Sequence, residues 1–251
     1  MNTELFKKFA PVLVSASAPV VRDPRLLMSA QDNIAIYYSP FEHINPKAKI
    51  VLVGITPGPT QMVNANSIAR RELQAGASYL EAIRKAKEEG AFSGKVMRSN
   101  LSKQLDHWGV QTWMGIKSST ELFDGSEDLV QTTSLLRYPV FINGENYRGT
   151  PDMTRHPLLR KHLLEHFVRE VQEMPDAIFI PLGPQVQKVV DTMVLQGNIP
   201  RERIIRGMLH PSGNNTYRIT YLISKSRGTV PYATNPVPYD NGRMKFRQAY
   251  L

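Results

Sequence analysis

The feature that most constrains the fold is a set of short apolar segments that end abruptly in turn-forming residues. They span residues 49–55, 177–182 and 203–209. The first two end at turns that contain Gly and Pro, and the third ends at His210-Pro211-Ser212-Gly213. Short apolar runs with few charges are typical of strands that are covered on both faces of a sheet. We therefore predict that these segments are strands of a buried sheet.

Helical patterns alternate with these segments. Apolar residues recur at helical spacing within residues 67–90, 158–174 and 185–195. Gly90 is placed to end the first of these helices, and the second has a basic, His-containing face opposite its apolar stripe. Strands that alternate with helices predict a parallel α/β sheet within a three-layer α/β/α architecture.

Nothing in the sequence divides the chain into separate domains. A length of 251 residues suits one α/β domain with a sizeable core, and no internal repeat or low-complexity segment interrupts it. We predict a single domain over residues 1–251, with an extended, basic, Pro-containing C-terminal tail over residues 225–251. The N-terminal apolar run resembles a signal peptide, but Pro11 and Pro19 would break its helix, so we predict that it belongs to the mature fold.

The composition excludes several kinds of chemistry. The chain contains no Cys, which excludes disulfides, thiolate metal centres and cysteine nucleophiles. We expect a metal-free monomer without a cofactor. No run of about 20 apolar residues occurs, so we expect no membrane association and a cytoplasmic protein, or a nuclear one in a eukaryote.

The charge balance is strongly basic. The 31 Lys and Arg residues outnumber the 22 Asp and Glu residues, which gives a net charge of +9 at neutral pH. Such a surplus suits DNA, because each phosphate that a basic side chain neutralises releases condensed counterions. A solvated basic surface without a partner has the same composition, so the charge becomes informative only beside a binding site.

Two rigid, polar loops follow predicted strands, at residues 54–61 and 210–215. In an open parallel sheet, ligands bind beyond the carboxyl ends of the strands. Gly and Pro fix the backbone of these loops and let it approach a ligand closely. Either loop alone is equally consistent with an ordinary turn, whereas the pair indicates a binding site.

The two loops carry motifs of a known family. Gly54-Ile55-Thr56-Pro57-Gly58 resembles the first motif of the uracil-DNA glycosylase superfamily, especially in its mismatch-specific and single-strand-selective branches, and His210-Pro211-Ser212-Gly213 resembles its closing motif. Three weaker matches lie between them in the same order: Gly90-Ala91-Phe92-Ser93-Gly94, Thr133-Ser134-Leu135-Leu136-Arg137 and Leu182-Gly183. The resemblance implies a three-layer α/β/α fold with a central, mainly parallel four-stranded sheet.

The resemblance also implies roles for individual residues. Such an enzyme extrudes a damaged or deaminated base from DNA into a pocket and cleaves its glycosidic bond, as in base-excision repair. Phe92 would stack on the extruded base, His210 would donate a hydrogen bond to the departing base, and Thr56 stands at the position that orients the attacking water. The other residues that the resemblance assigns to binding are Gly54, Ile55, Pro57, Gly58, Ser134, Pro211, Ser212 and Asn214.

Two departures from the family pattern leave alternatives open. Thr56 replaces the Asp or Asn of active relatives, and Ser134 stands where many relatives have a base-reading Asn. A hydroxyl carries no charge and lacks the paired donor and acceptor of an amide. The chain is therefore either a DNA glycosylase with altered chemistry or a non-catalytic nucleic-acid or base-binding protein. A phosphate-binding α/β enzyme that uses the Gly-Pro loop is a weaker alternative, because the loop lacks the ending of a P-loop.

Overall fold

A computed structural model describes residues 3–16, 21–124, 127–224, 228 and 234–251 of the chain. The chain forms two compact units. Unit 1 comprises Met1–Pro46, Ile55–Ser93 and Thr132–Pro175, and unit 2 comprises Lys47–Gly54, Gly94–Gln131 and Asp176–Leu251.

The protein is a mixed α/β protein. The helices are α1 (Glu4–Ser15), α2 (Pro59–Gln74), α3 (Tyr79–Gly90), α4 (Lys95–Trp108), α5 (Val110–Met114), α6 (Pro157–His162), α7 (Arg169–Gln172), α8 (Pro184–Leu195), α9 (Thr216–Ile223) and α10 (Val237–Tyr250). The strands are β1 (Leu27–Gln31), β2 (Ile34–Tyr37), β3 (Ile50–Gly54), β4 (Val130–Ser134), β5 (Val140–Ile142), β6 (Glu145–Asn146) and β7 (Ile178–Pro181). A π-helical segment, Leu163–Val168, joins α6 to α7. In the described ranges, no helix combines the length and apolar character that crossing a membrane requires.

Unit 1 is built on an antiparallel sheet and a pair of helices. The sheet has the strand order β1-β2-β5-β6. In β2, Ile34 and Ile36 are buried while the residues that alternate with them are half-buried, as expected for a strand with one face on the core. Helix α1 covers this core with buried aromatic residues, and its Phe9 ring stacks on Tyr38 at 4.4 Å between ring centroids.

Unit 2 is built on parallel strands. The sheet that contains them has the order β4-β3-β7, and every residue of β3 and β7 is buried. Ile50 of β3 pairs in parallel with Ile178 of β7. On the other side of β7, Phe179 forms an isolated parallel bridge to Ile204.

The predicted four-stranded parallel sheet is wrong in strand number. Within the described residues, three strands form the parallel sheet and the antiparallel sheet is separate from it. The predicted strands at 49–55 and 177–182 are confirmed as β3 and β7, but residues 203–209 contribute only the bridge at Ile204. Gly207 explains this difference, because its left-handed backbone (φ +114°) interrupts an extended conformation.

The helix predictions are confirmed in part. Residues 185–195 lie in α8, and residues 158–174 largely coincide with the run from α6 to α7. Residues 67–90 are not one helix, because the chain breaks between α2 and α3 at Gly76, whose φ is +84°. Pro11 does not break a helix either, since it lies inside α1, where four buried apolar residues compensate for its missing hydrogen bond.

The expectation of an extended C-terminal tail is wrong for residues 237–250. These residues form α10, which buries Tyr239, Gly242 and Phe246. Tyr239 and Phe246 both contact Trp108 of α4, with ring centroids 5.6 and 6.4 Å from its ring. Burial of these rings explains why a basic, Pro-containing stretch is helical. Residues 225–227 and 229–233 of the predicted tail lie outside the described residues.

Candidate functional site

A pocket in unit 1 collects residues from segments that are far apart in the sequence. We call it the Phe92 pocket. Its lining comprises Phe41, Pro57, Gln61, Lys87, Ala91, Phe92, Thr132, Thr133, Ser134 and Arg137. Pro57, Phe92 and Ser134 are residues that the family resemblance assigns to binding, each from a different motif. The structure brings these three together.

Close packing of α2 on α3 positions Phe92. Gly90 ends α3 so near α2 that a Cβ atom there would lie 3.0 Å from the backbone of Ala65. Two residues later, Phe92 has a left-handed backbone with φ +48°, which is unusual for a bulky residue and typical of functional sites. Its backbone N–H donates to Gln61 Oε1 at 3.1 Å, and the residue is only 4% exposed.

Polar residues at the end of β4 form another wall of the pocket. All five residues of β4 are buried. The Thr133 hydroxyl donates to Glu170 Oε2 at 2.8 Å. The Ser134 hydroxyl has no hydrogen-bond partner in the described part of the chain, so it can bond to a ligand.

A buried ion network lies in the wall of the Phe92 pocket. Glu170 is fully buried, with Lys87 Nζ 3.3 Å from its Oε1 and Arg137 Nη2 3.0 Å from its Oε2. Two cations therefore share one carboxylate. Burial lowers the pKa of Lys87 to about 8, although the attraction of Glu170 opposes that change. The Glu42 carboxylate also attracts both cations, so two positive charges face two negative ones, and Lys87 and Arg137 serve the pocket as N–H donors.

The Phe92 pocket is narrow. Its free volume is about 10 Å³, which is room for about one water molecule. A planar ligand therefore enters only when side chains of the lining move.

Thr56 has a structural role that the sequence does not reveal. Its hydroxyl donates to the carbonyl oxygen of Tyr138 at 2.9 Å and accepts from the N–H of Val140 at 3.1 Å. The single hydroxyl proton is thus committed to the backbone. Thr56 is absent from the described lining of the Phe92 pocket, as are Ile55 and Gly58.

Ile55 and Gly58 instead shape the turn that leads into α2. The carbonyl oxygen of Ile55 accepts from the N–H of Leu136 at 2.9 Å, which ties the turn to the segment after β4. Gly58 is the N-cap of α2 and its carbonyl oxygen accepts from the N–H of Met62. Gly54 is the last residue of β3.

The loop that carries His210 belongs to unit 2, where two amide side chains of α4 hold it. Gln104 is fully buried and makes two hydrogen bonds to the backbone of Leu209, at 3.0 and 3.2 Å. Asn100 lies one turn earlier and donates to the carbonyl oxygen of Pro211 at 3.2 Å. Pro211 is buried, Ser212 is half-buried and Asn214 is exposed. The loop is therefore fixed from one side and accessible on the other.

His210 is half-buried and its hydrogen bonds define a tautomer. Burial lowers the pKa of its imidazole, so the ring is neutral at neutral pH. Its Nδ1 accepts from the N–H of Ser212 at 3.3 Å, and its carbonyl oxygen accepts from Asn215 Nδ2 at 2.9 Å. In a neutral ring whose Nδ1 is an acceptor, Nε2 carries the proton. His210 thus presents a neutral N–H donor.

Sequence analysis does not identify several residues of these sites. Gln61, Lys87 and Arg137 line the Phe92 pocket, yet each looks like an ordinary polar or charged residue in the sequence. In the sequence, Asn100 and Gln104 look like polar residues of a solvated helix face, and only their hydrogen-bond partners show that they hold a loop. Their spacing of one helical turn is the signal by which sequence analysis could have identified them. Among the described residues, no three His, Asp or Glu side chains converge to hold a metal ion.

The chain has a relative that matches most of its length. It is 36% identical over 226 residues to the uncharacterized protein YoxB of Bacillus subtilis (strain 168), and the match covers 87% of this chain and 88% of YoxB. No family model matches the chain, and no solved structure matches it. Identity at this level over most of both sequences shows common descent, and the chain therefore belongs to the same protein family as YoxB.

Proposed function

We propose that the protein binds DNA and receives an extruded base in the Phe92 pocket, as uracil-DNA glycosylase-like proteins do. The observation that carries this proposal is the convergence of Pro57, Phe92 and Ser134 on one pocket. A buried aromatic ring provides a face for stacking on a base. The unpaired hydroxyl of Ser134 provides a hydrogen bond to the edge of that base.

The parallel strands of unit 2 support a glycosylase-like fold. The sheet has the order β4-β3-β7, and one isolated parallel bridge from Phe179 to Ile204 extends its pairing beyond β7. With helices on both faces, this sheet would be the centre of a three-layer α/β/α fold. That finer architecture is part of the proposal.

His210 favours hydrolysis of the glycosidic bond. Water adds to the sugar C1′ while the bond from C1′ to the base nitrogen breaks, and the electron pair of that bond leaves with the base. Negative charge therefore develops on the departing base until it takes up the proton that the water loses. A neutral N–H donor such as Nε2 of His210 stabilises this charge without having to lose a proton. The rigid loop would hold that donor in place.

Thr56 favours the second candidate function, binding of a base without hydrolysis. Its hydroxyl proton is bonded to Tyr138, and a hydroxyl offers no charge to stabilise a cationic sugar. Binding without cleavage needs only Phe92 and Ser134, neither of which depends on Thr56.

Base release from oligonucleotides tests the catalytic part of the proposal. Single- and double-stranded substrates would carry uracil, hypoxanthine, xanthine or mismatched thymine. Excision by the wild type that His210→Ala abolishes would support a glycosylase, and excision gained only in Thr56→Asn would support a pocket that has lost its water-orienting group. Thr56→Ser is the control, because it keeps the hydroxyl.

Binding of the same oligonucleotides to Phe92→Leu tests the pocket itself. Leucine keeps an apolar side chain but removes the flat ring, so binding should weaken by about tenfold, the loss of one base–aromatic stack. Leu195→Ala, on an exposed part of α8, is a control that should leave affinity unchanged. Equal affinity of Phe92→Leu and wild type would refute the stacking role.

A further inference from the structure

Beside its buried aromatic rings, helix α10 is attached to α4 by a group of side chains that we call the His107 cluster. It consists of His107 on α4 and of Tyr239 and Arg243 on α10, all within unit 2. Nδ1 of His107 lies 3.1 Å from the Tyr239 hydroxyl, and Nε2 lies 3.1 Å from Nη1 of Arg243. The imidazole also stacks on the Tyr239 ring, at 5.7 Å between ring centroids and 10° between ring planes.

The partner of Nε2 determines the protonation state of His107. A guanidinium group can only donate hydrogen bonds, so Nε2 must accept from Arg243. Nε2 therefore carries no proton. The ring is neutral, its one proton is on Nδ1, and Nδ1 donates to the Tyr239 hydroxyl. The His107 cluster thus fits one charge state and one tautomer of the imidazole.

Protonation of His107 would break this arrangement. A proton on Nε2 removes the acceptor of Arg243 and places two cations with their nitrogen atoms 3.1 Å apart. The docked helix therefore opposes protonation, whereas a released helix leaves the imidazole in water, where it takes up a proton freely.

Other charged groups lie on these two helices and on the elements packed against α4. They include the acidic residues Asp106, Glu121 and Asp240 and the basic residues Lys103, Arg218 and Arg247. Asp106 accepts from the Ser118 hydroxyl and from the N–H of Ser119. Arg243 is the charged group that bonds to the imidazole itself, and its positive charge opposes a second one there.

Helix α10 also supports the segment that carries His210. Nζ of Lys245 donates to the carbonyl oxygen of Ile204 at 3.0 Å. Gly207 lies so close to α10 that a Cβ atom there would collide with the carbonyl group of Pro238. Release of α10 would therefore remove one support of residues 204–210.

We propose that α10 is a pH-sensitive clamp on the segment that carries His210, held by neutral His107 and loosened when His107 takes up a proton. An imidazole in water gains its proton as the pH falls through about 6.5. Because the released helix binds that proton and the docked helix does not, docking is fully stable above about pH 6.5 and weakens below it. The proposal does not depend on the proposed function, since it concerns how α10 is held.

Hydrogen exchange of the full chain, resolved to the peptides of α10, measures the equilibrium between docked and released helix. After correction for the intrinsic pH dependence of exchange, the opening constant of Val237–Tyr250 should rise about 30-fold between pH 7.5 and pH 5. Peptides of α8, which belongs to the same unit, should show less than about a threefold rise, because the clamp is local. A rise in α8 as large as that in α10 would mean general acid unfolding and would overturn the proposal.

Variants assign the pH dependence to the His107 cluster. His107→Gln keeps an acceptor for Arg243 and a donor for Tyr239 but does not titrate, so its opening constant should change less than about threefold. His43→Gln, in unit 1, is the matched control and should keep the rise of about 30-fold.

A second variant keeps the test informative if His107→Gln folds poorly. The amide of Arg243→Gln can bond to either form of the imidazole, so its opening constant should rise less than about tenfold. The proposal is overturned if the α10 peptides of the wild type change by less than about threefold. It is also overturned if His107→Gln, or Arg243→Gln in its place, retains the full rise of the wild type.

Discussion

Glu42 and Glu170 are two buried carboxylates of unit 1 with opposite surroundings. Glu170 accepts from Thr133 and pairs with Lys87 and Arg137, whereas in the described chain Glu42 has no ion-pair partner and only the Tyr38 and Tyr138 hydroxyls lie beside its carboxylate. A partnered buried charge stabilises the neighbours that depend on it, while an unpartnered one opposes folding. The same substitution, Glu to Gln, should therefore have opposite effects at the two positions.

Glu170→Gln should destabilise the protein by about 3–5 kcal/mol, the usual effect of removing one partner from a buried ion network. The substitution leaves Lys87 and Arg137 buried without the carboxylate to which both bond. Urea unfolding at neutral pH measures the change. Glu173→Gln, at the exposed end of the same helix, should change stability by less than about 0.5 kcal/mol. Similar stability of the two variants would show that the network contributes little.

Glu42→Gln should stabilise the protein at neutral pH and not at low pH. Burial raises the pKa of Glu42 from 4.5 to about 6. A raised folded-state pKa gives stability that is fully present below pH 4.5 and is lost as the pH rises through about 6. Glutamine does not titrate. The unfolding free energy of the variant, relative to that of the wild type, should therefore rise by about 2 kcal/mol as the pH increases from 4.5 to 8.

Unfolding curves at several pH values check the Glu42 prediction. The quantity of interest is the difference in unfolding free energy between variant and wild type, because other titrating groups cancel in it. A difference that stays constant from pH 4.5 to pH 8 would contradict the raised pKa. Glu202→Gln is the control, and its difference should stay near zero.

Among the elements, α10 depends on one close approach. Gly242 lies so near Arg206 and Trp108 that a Cβ atom there would collide with the Arg206 carbonyl oxygen and lie 2.8 Å from the Trp108 ring. Those contacts let α10 bury Tyr239 and Phe246. The position therefore determines whether the C-terminal helix can pack at all.

Gly242→Ala should destabilise the packing of α10 by about 1–3 kcal/mol or more, the range for overpacked cores. Alanine is the better helix former, so a loss of stability would isolate the steric effect from helix propensity. Proteolysis should then cleave near α10 faster than in the wild type. Gln248→Ala, on the exposed side of the same helix, should leave the cleavage rate unchanged. An equally resistant Gly242→Ala would disprove the steric role.

The sequence predicts those helices and strands whose own residues form a clear apolar run or a helical periodicity. Strands β3 and β7 are continuous apolar runs, and α8 has helical periodicity directly after a Gly-Pro turn, so these are predictable. The antiparallel sheet of unit 1 escapes prediction because strands such as β5 and β6 are only three and two residues long. Helix α10 escapes it because its apolar residues are sparse among basic ones.

The same distinction applies to the candidate site. Pro57, Phe92 and Ser134 stand in motifs, so a resemblance identifies them. Lys87 and Arg137 do not, because their importance rests on contacts with Glu170, which lies 83 and 33 residues away in the sequence. Long-range contacts of this kind leave no local pattern. The two hydrogen bonds of Thr56 likewise cannot be inferred from the sequence.

The net charge of the protein indicates what kind of partner it attracts. The net charge is +9, so long-range attraction favours a polyanion. DNA binding should therefore depend strongly on salt through the basic surface.

Binding of a 16-nucleotide oligonucleotide should weaken steeply as salt increases. If about five phosphates are neutralised, log K should fall against log salt with a slope of about −3.5 for single strands and −4.5 for duplex. Between 50 and 200 mM salt, such slopes correspond to a loss of about 100-fold or more in affinity. Fluorescence anisotropy at a series of salt concentrations measures this slope. Deoxyuridine monophosphate is the matched control, because one phosphate can give a slope of at most about −1. A slope for the oligonucleotide as shallow as that of the mononucleotide would reject DNA and favour a protein that binds small phosphate-containing ligands.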